Sequence, residues 1–200
     1  MNRSSRVAAI VSAAVALSGL PVAAQTSRDS QPAAPGRPVS EAASPAAARD
    51  VESLDAILGA LYDVISGPVG RQPDWQRFRS LFAPGGRLIP TARGTDGVTR
   101  PTVLTPDEFA RRVAPGLTQS GFYEREIGRR TERFGAVVHV MSAYDSRRAP
   151  ADPRPFTRGI NSIQLLDAGD RWYVVTVFWD VERPGTQIPT EYFQSAAPER

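Results

Sequence analysis

Residues 156–182 read FTRGINSIQLLDAGDRWYVVTVFWDVE, and this stretch decides the fold. A tight-turn signal at Asp167–Asp170 separates two runs rich in β-branched and aromatic residues, which predicts a hairpin. A strand covered on one face only alternates apolar with polar side chains. Here Trp172, Val174, Thr176 and Phe178 point one way, and Tyr173, Val175, Val177 and Trp179 the other. Both faces are apolar, so the hairpin calls for a core on one side and a second body, such as another subunit, on the other.

Upstream of the hairpin the period is also strand-like, with strands expected near Tyr123–Arg130 and Ala136–Tyr144, followed by Gly159–Leu166 and Trp172–Glu182. Earlier still the period is helical. Leu54, Ile57, Leu58, Leu61, Val64 and Ile65 form one face of a helix over Val51–Ser66, with Asp50 as its expected N-cap and Gly67-Pro68 as its stop. A second helix is expected over Asp74–Phe82, ended by Gly85-Gly86, with a short strand at Arg87-Leu88-Ile89. Thr105-Pro106-Asp107-Glu108 is a capping box with Pro at the first helical position, and Pro115-Gly116 is expected to end or kink the helix it opens. Helices first and long strands after describe an α+β layout.

The N-terminus has the three parts of a secretory signal peptide: Arg3 and Arg6, an apolar run Val7–Leu17, and small residues Val22-Ala23-Ala24. Residues 1–24 are read as that signal. The run is too short for the ~20 residues a membrane span needs, so no stable membrane insertion is expected after cleavage. Residues 25–50, rich in Ala, Pro and Ser, are read as a flexible linker. Residues 51–193 form one domain and residues 194–200 a tail. The product is expected to be periplasmic or secreted.

All 24 basic residues are arginine, against 21 acidic ones, for a formal net charge of +3. Without Arg3 and Arg6 the balance is close to neutral, and acids sit beside the arginine pairs, so no nucleic-acid partner is expected. The chain has no Cys and one His. That excludes a thiol nucleophile, a Cys-based metal site and His-pair metal motifs. No Gly-rich loop has a phosphate-binding context, and no feature asks for a cofactor.

The helix Leu54–Ser66, the Asp74-Trp75…Phe78…Leu81-Phe82 segment leading into a short strand, and the hairpin around Gly169 together resemble the nuclear transport factor 2-like superfamily, which includes SnoaL-like and ketosteroid isomerase-like domains. The string RGINSIQLLDAGDRWYVVTVFWD is similar to exported bacterial members of unassigned role. The resemblance implies a cone, in which N-terminal helices pack on a strongly bent antiparallel sheet (a cystatin-like α+β roll), with an internal pocket and homodimers formed through the outer sheet face. It also implies site residues. Tyr62 falls where the isomerase-like relatives carry an oxyanion-binding tyrosine, and Asn161 where they carry a second donor. Their catalytic carboxylate falls after the second helix, where this chain has Arg87-Leu88-Ile89-Pro90-Thr91 and no acid. Proton abstraction needs a base within reach.

Other candidates follow from the strands. Tyr144 shares a strand face with Val138 and Val140, opposite His139, and is a further ligand contact. His139 is the one side chain able to serve as a base by its ordinary pKa, or it faces a partner subunit. Trp179 walls the pocket or fills the interface. Arg158 and Asp180 pair across the hairpin or bind an anion. Glu124 and Glu126 share a strand face, a spacing suited to acid/base work, but Arg125, Arg129 and Arg130 beside them favour an exposed charge ladder.

Three function classes stand: an exported, non-catalytic domain binding a small apolar or carbonyl-containing ligand in a mostly apolar pocket; a lyase or isomerase polarising a carbonyl through Tyr62 and Asn161; and a dimeric protein-interaction module. His139 inside the cone beside Asn161 would favour the enzyme, and His139 outside would favour binding.

Overall fold

In the computed structural model the described residues are 46–193, which fall within one compact unit. The residues read as a signal peptide, most of those read as a linker and those read as a tail lie outside them. The chain runs α1 (Ala48–Val51), α2 (Leu54–Val64), α3 (Trp75–Ser80), β1 (Phe82–Arg93), β2 (Thr99–Pro101), α4 (Pro106–Ser120), β3 (Tyr123–Phe134), β4 (Val137–Arg147), β5 (Thr157–Asp167) and β6 (Trp172–Val181), then a short 3-10 turn over Thr190–Phe193. The α+β layout and all four expected late strands are present. The sheet order is β2-β1-β6-β5-β4-β3.

The sheet is mixed rather than antiparallel. Every pair is antiparallel except β1 with β6, which run parallel, with Leu88 opposite Val177 and Ile89 opposite Phe178. β1 is also far longer than the expected three residues. It starts at Phe82, passes through Pro84-Gly85-Gly86 with a register irregularity, and continues to Arg93. Gly85 takes a positive φ of 81°, so the two glycines make an irregularity within a strand instead of a stop.

Helix ends differ from expectation for local reasons. Asp50 caps nothing: its buried carboxylate accepts from Arg77 Nε at 2.7 Å and Nη2 at 3.0 Å. The cap of α2 is Ser53, whose hydroxyl accepts from the Ala56 amide at 3.1 Å. The fold therefore begins before residue 51, with Ala46 packed on the core. The capping box of Thr105 and Glu108 forms as read. Pro115 does not end α4, which runs on to Ser120 before Gly121 at φ 65°. Ser120 donates to the Gly116 carbonyl at 3.0 Å and supports that last turn.

Two β-bulges shape the sheet. Ile127 is extra in β3 between the Glu126–Tyr144 and Gly128–Ala143 pairs. Val175 is extra in β6 between the Thr176–Gln164 and Val174–Leu165 pairs. A bulge bends its strand and flips the alternation beyond it. On β6 the inner face is therefore Trp172, Val174, Val177 and Trp179, not the simple alternate set. Tyr173, Val175 and Phe178 are left on the other side, with Phe178 and Val175 exposed.

α2 and α3 pack on the inner face. Ile57, Leu58, Leu61, Phe78 and Leu81 meet Val138, Val140, Ile163, Leu165, Val174 and Val177 in one cluster, nearly all of it sealed from solvent. Each such side chain contributes about 1.5–3 kcal/mol by leaving water. Phe109 of α4 extends the cluster, stacked on Phe78 at 5.5 Å and edge-on to Trp179 at 6.0 Å.

Candidate functional site

The inner face changes character part-way along the sheet. Beyond Val140 and Ile163 the next inward positions are Ser142, Tyr144 and Ser146 on β4 and Asn161 on β5, all buried. Opposite them on β3 stand Glu126, paired with Tyr144, and Glu124, paired with Ser146. α2 closes the group from above with Tyr62. The end of α2 is fixed there by Ser66, whose hydroxyl donates to the Tyr62 carbonyl at 2.7 Å and accepts from the Glu124 amide at 3.0 Å.

These side chains form one hydrogen-bonded chain and, beside it, one pair. Asn161 Nδ2 donates to the Tyr62 hydroxyl at 3.1 Å. The Tyr62 and Ser142 hydroxyls are 2.7 Å apart. Ser142 donates to Glu126 Oε2 at 2.5 Å. Ser146 donates to Glu124 Oε2 at 2.9 Å. A hydroxyl has one proton to give, and that of Ser142 goes to Glu126, so Tyr62 must be the donor in its bond to Ser142.

The group opens on a cleft of about 610 Å³ between α2 and the first half of β3, bounded further by Asp145, Arg147 and Pro150. Leu58, Gly59 and Tyr123 give it apolar surface; Asp55, Asp63, Glu124, Glu126, Arg125 and Arg129 line it with charge. The arginines are already paired. Arg129 meets Asp55 and Glu126, and Arg125 and Arg147 both meet Asp145. Among the described residues no group of three His, Asp or Glu side chains could hold a metal ion.

Burial shifts the titration of the group. It pushes the Glu124 carboxyl up to about 7; hydrogen bonds from Ser146 and Asn161 pull the other way, and the charge of Asp145 adds to the rise. Burial raises Glu126 as well, against the pull of Ser142 and Arg129. Tyr62 is pushed above the usual phenol range by burial and then by Glu124, and Tyr144 likewise. Burial also raises Asp145, but Arg147 and Arg125 outweigh it and hold its carboxyl below the usual range. A carboxyl that titrates near neutrality can both give and take a proton.

Tyr62 and Asn161 thus meet, as the family resemblance implied, though in a bond to each other. Tyr144 is buried over Gly159, where a Cβ would stand 2.6 Å from the tyrosine oxygen. Trp179 packs on Phe109 away from the cleft. His139 lies on the outer face, its Nε2 2.9 Å from Ser162 Oγ, opposite Gln164 and not Asn161; this register agrees with the outward-facing reading and removes the alternative of a base beside Asn161. Arg158 pairs with Glu182 at 2.8 and 2.9 Å rather than with Asp180, which bonds Thr91 and Arg183. The favoured reading of Glu124 and Glu126 as an exposed ladder is also overturned, because both side chains turn inward toward Ser146 and Ser142. The signal available was the pairing of two glutamates at spacing two with the small polar set Ser142, Ser146 and Asn161. The intervening arginines hid it. The interior expected to hold an apolar pocket is occupied by the core cluster.

No family model matches the chain and no curated protein matches it. Solved structures resemble it at low identity. A protein of the nuclear transport factor 2-like family from Streptomyces avermitilis aligns at 13% identity over 67% of this chain and 96% of its own, with a TM-score of 0.48. A cystatin-like-fold protein of unknown function from Nostoc punctiforme aligns at 12% identity over 62% and 84%, with a TM-score of 0.46. A nuclear transport factor 2-like protein of unknown function from Shewanella baltica aligns at 14% identity over 64% and 89%, with a TM-score of 0.42. Likenesses at this identity carry no function to this chain.

Proposed function

We propose that the protein is an exported small-molecule-binding domain whose ligand site is the cleft between α2 and β3. The observation that carries this reading is the chain Asn161–Tyr62–Ser142–Glu126, with Glu124 beside it, opening on a cavity of about 610 Å³. A buried polar network that converges on an open cleft, with a few polar groups beside apolar surface, has the make-up of a ligand site. Export rests on the signal-peptide pattern of residues 1–24. A homodimer through the outer sheet face is part of the proposal, supported by Phe178 and Val175, exposed side chains of a strand whose inner face is already covered.

A second reading has one specific observation behind it. Glu124, with a carboxyl at about 7, supplies the base that the segment after α3 lacks, so a bound ligand could exchange a proton with it. Native mass spectrometry of the full chain, produced in an exporting bacterial host, tests the binding reading. Gly59 lines the cleft on α2 and a Cβ there meets nothing within 4 Å, so Gly59→Phe blocks the cleft without backbone strain. A discrete adduct present on the wild type and lost from the Gly59→Phe variant is expected. An adduct that survives the block would place the ligand elsewhere. Turnover of that ligand by the wild type but not by Glu124→Gln would establish the second reading.

A further inference from the structure

We infer that the cleft takes an organic ammonium ion, a protonated primary or secondary amine on an apolar or aromatic body, and not a carbonyl compound or a carboxylate. The inference rests on the cleft being a ligand site and concerns which ligand it fits. It follows from an inventory of donors and acceptors. Asn161 gives an amide proton to Tyr62 at 3.1 Å, eases the ionisation of Glu124, and lies behind Tyr62 rather than on the cleft wall. Tyr62 gives its proton to Ser142, Ser142 to Glu126, and Ser146 to Glu124. Arg129 donates to Asp55 and pairs with Glu126 at 3.2 Å. Arg125 and Arg147 are committed to Asp145.

The hydroxyl donors are thus committed within the protein, and apart from the proton that Glu124 carries below its midpoint the group offers acceptor capacity, foremost the carboxyl oxygens of Glu124 and Glu126. A carbonyl or oxyanion entering this site would find no free proton from Tyr62 and only that of Glu124, and an oxyanion would also meet the like charge of Glu126. An ammonium ion brings the donors that these oxygens lack and a charge of the missing sign. Leu58 and the rings of Tyr123 and Tyr62 supply apolar and π surface for the body of such a ligand.

The same geometry predicts a proton count. The groups facing Glu124 are Tyr62 from α2, Tyr144 and Asp145 from β4, and Glu126 on its own strand. The cleft's cations, Arg125, Arg129 and Arg147, are held by Asp145, Asp55 and Glu126, and burial keeps the proton on Glu124 in the empty cleft at mildly acid pH. A cation bound there favours the carboxylate, and that proton passes to the buffer while the ammonium keeps its own.

Three probes of one shape separate the alternatives: benzylamine, benzyl alcohol and benzoate, titrated calorimetrically into the full chain at roughly pH 6, below the Glu124 midpoint, in two buffers of different ionisation enthalpy. Benzylamine is expected to bind at least about tenfold more tightly than benzyl alcohol, with release of up to one proton, and benzoate not to bind. Glu124→Gln should lower benzylamine affinity by about tenfold or more and abolish the proton release. Glu126→Gln should lower affinity while leaving the release in place, which covers the case in which the first variant does not fold. Binding of benzoate or benzyl alcohol as tight as benzylamine, or benzylamine binding without proton release, overturns the inference. If only benzyl alcohol or benzoate shifts the NMR signals of Tyr62 and Gly59, the inference fails and the cleft remains a ligand site. If none of the three shifts them, both fail.

Discussion

Along one strand the molecule has two interiors. The inward side chains of β4 run Val138, Val140, then Ser142, Tyr144, Ser146; those of β5 run Leu165, Ile163, then Asn161, Gly159. The division falls between adjacent rungs, Val140 with Ile163 and Ser142 with Asn161. On one side of it every inward group is apolar and sealed under α2 and α3. On the other Ser142, Ser146 and Asn161 are just as buried, yet hydrogen-bonded, directly or through Tyr62, toward two carboxyls at a cleft. Backbone pairing and strand geometry are the same on both sides. What differs is the free-energy source: removal of apolar area from water on one side, satisfaction of polar groups that cannot reach water on the other. The first kind of interior is expected to be indifferent to pH, and the second to depend on it.

The largest expected effect lies at the apolar end. Ile163 has no exposed surface, and Ile163→Ala should cost about 3–4 kcal/mol from lost burial and the cavity left behind. Urea denaturation should give the same loss at acid and at mildly alkaline pH. A strongly pH-dependent loss would mean that the two interiors are one coupled unit and break the comparison.

Next comes Glu124→Gln, with a sign set by linkage. The folded carboxyl titrates near 7 and the unfolded one near its ordinary value of 4.5, so the native state holds the proton more tightly. Stability therefore falls as pH rises from about 4.5 to about 7 and is flat beyond. A glutamine cannot ionise and keeps an oxygen to accept from Ser146. The variant should match the wild type near pH 4 and exceed it by about 3 kcal/mol near pH 8. Equal stability of the two proteins across that range would mean that Glu124 is solvated and would remove the ground for treating it as an acid–base group.

The contrast between the interiors explains what could be read from the sequence. The apolar end was legible because short runs rich in β-branched and apolar residues, as in 137–141 and 163–166, are a local signal of buried strands, and the α2 face shows its apolar stripe at helical period. The strand positions and the layout followed from it. The bulges were not legible: Val175 sits in an unbroken apolar run, where one inserted residue changes no letter of the pattern, and so the faces of Thr176 to Trp179 were exchanged. The parallel β1–β6 pair is set by a crossover of many residues and leaves no mark in β1 itself. Asp50 was an acceptable cap by local rules until Arg77, 27 residues on, took its carboxylate. The polar site was half legible. Tyr62 and Asn161 were found through the family pattern, but Glu124 and Glu126 depend on Ser146 and Ser142, on the next strand, and the arginines around them imitate a solvated face.

A smaller effect is expected at the joint between the two interiors. Ser142 is fully buried, accepts from Tyr62 and donates its own proton to Glu126. Ser142→Ala leaves both partners without it and should cost about 1–2 kcal/mol. It should also raise the Glu126 titration further, since one of the groups that lowers it is gone, and carbon-13 NMR of the carboxyl reads this directly. A stability loss with no movement of the Glu126 titration would show that Ser142 only fills space, and the polar chain would end at Tyr62.

The smallest expected effect sharpens the comparison most. Every inward position of α2 is filled, but Gly59, on the side facing the cleft, is exposed and has no neighbour within 4 Å of where a Cβ would stand. A glycine in a helix interior costs roughly 0.5–1 kcal/mol relative to alanine. At the apolar end such a cost would have no compensation. At the cleft it leaves room above Glu124 and Tyr62. Gly59→Ala should therefore raise stability by about 0.5–1 kcal/mol while weakening any ligand that fills the cleft, the pattern of a position kept small for function rather than for folding. A thermal melt and a titration of the same preparation decide it. A loss of stability would mean that the cleft closes onto α2 in solution, so that its open form is not the resting one. A gain with unchanged binding would move the ligand away from α2, toward the side bounded by Arg147 and Pro150.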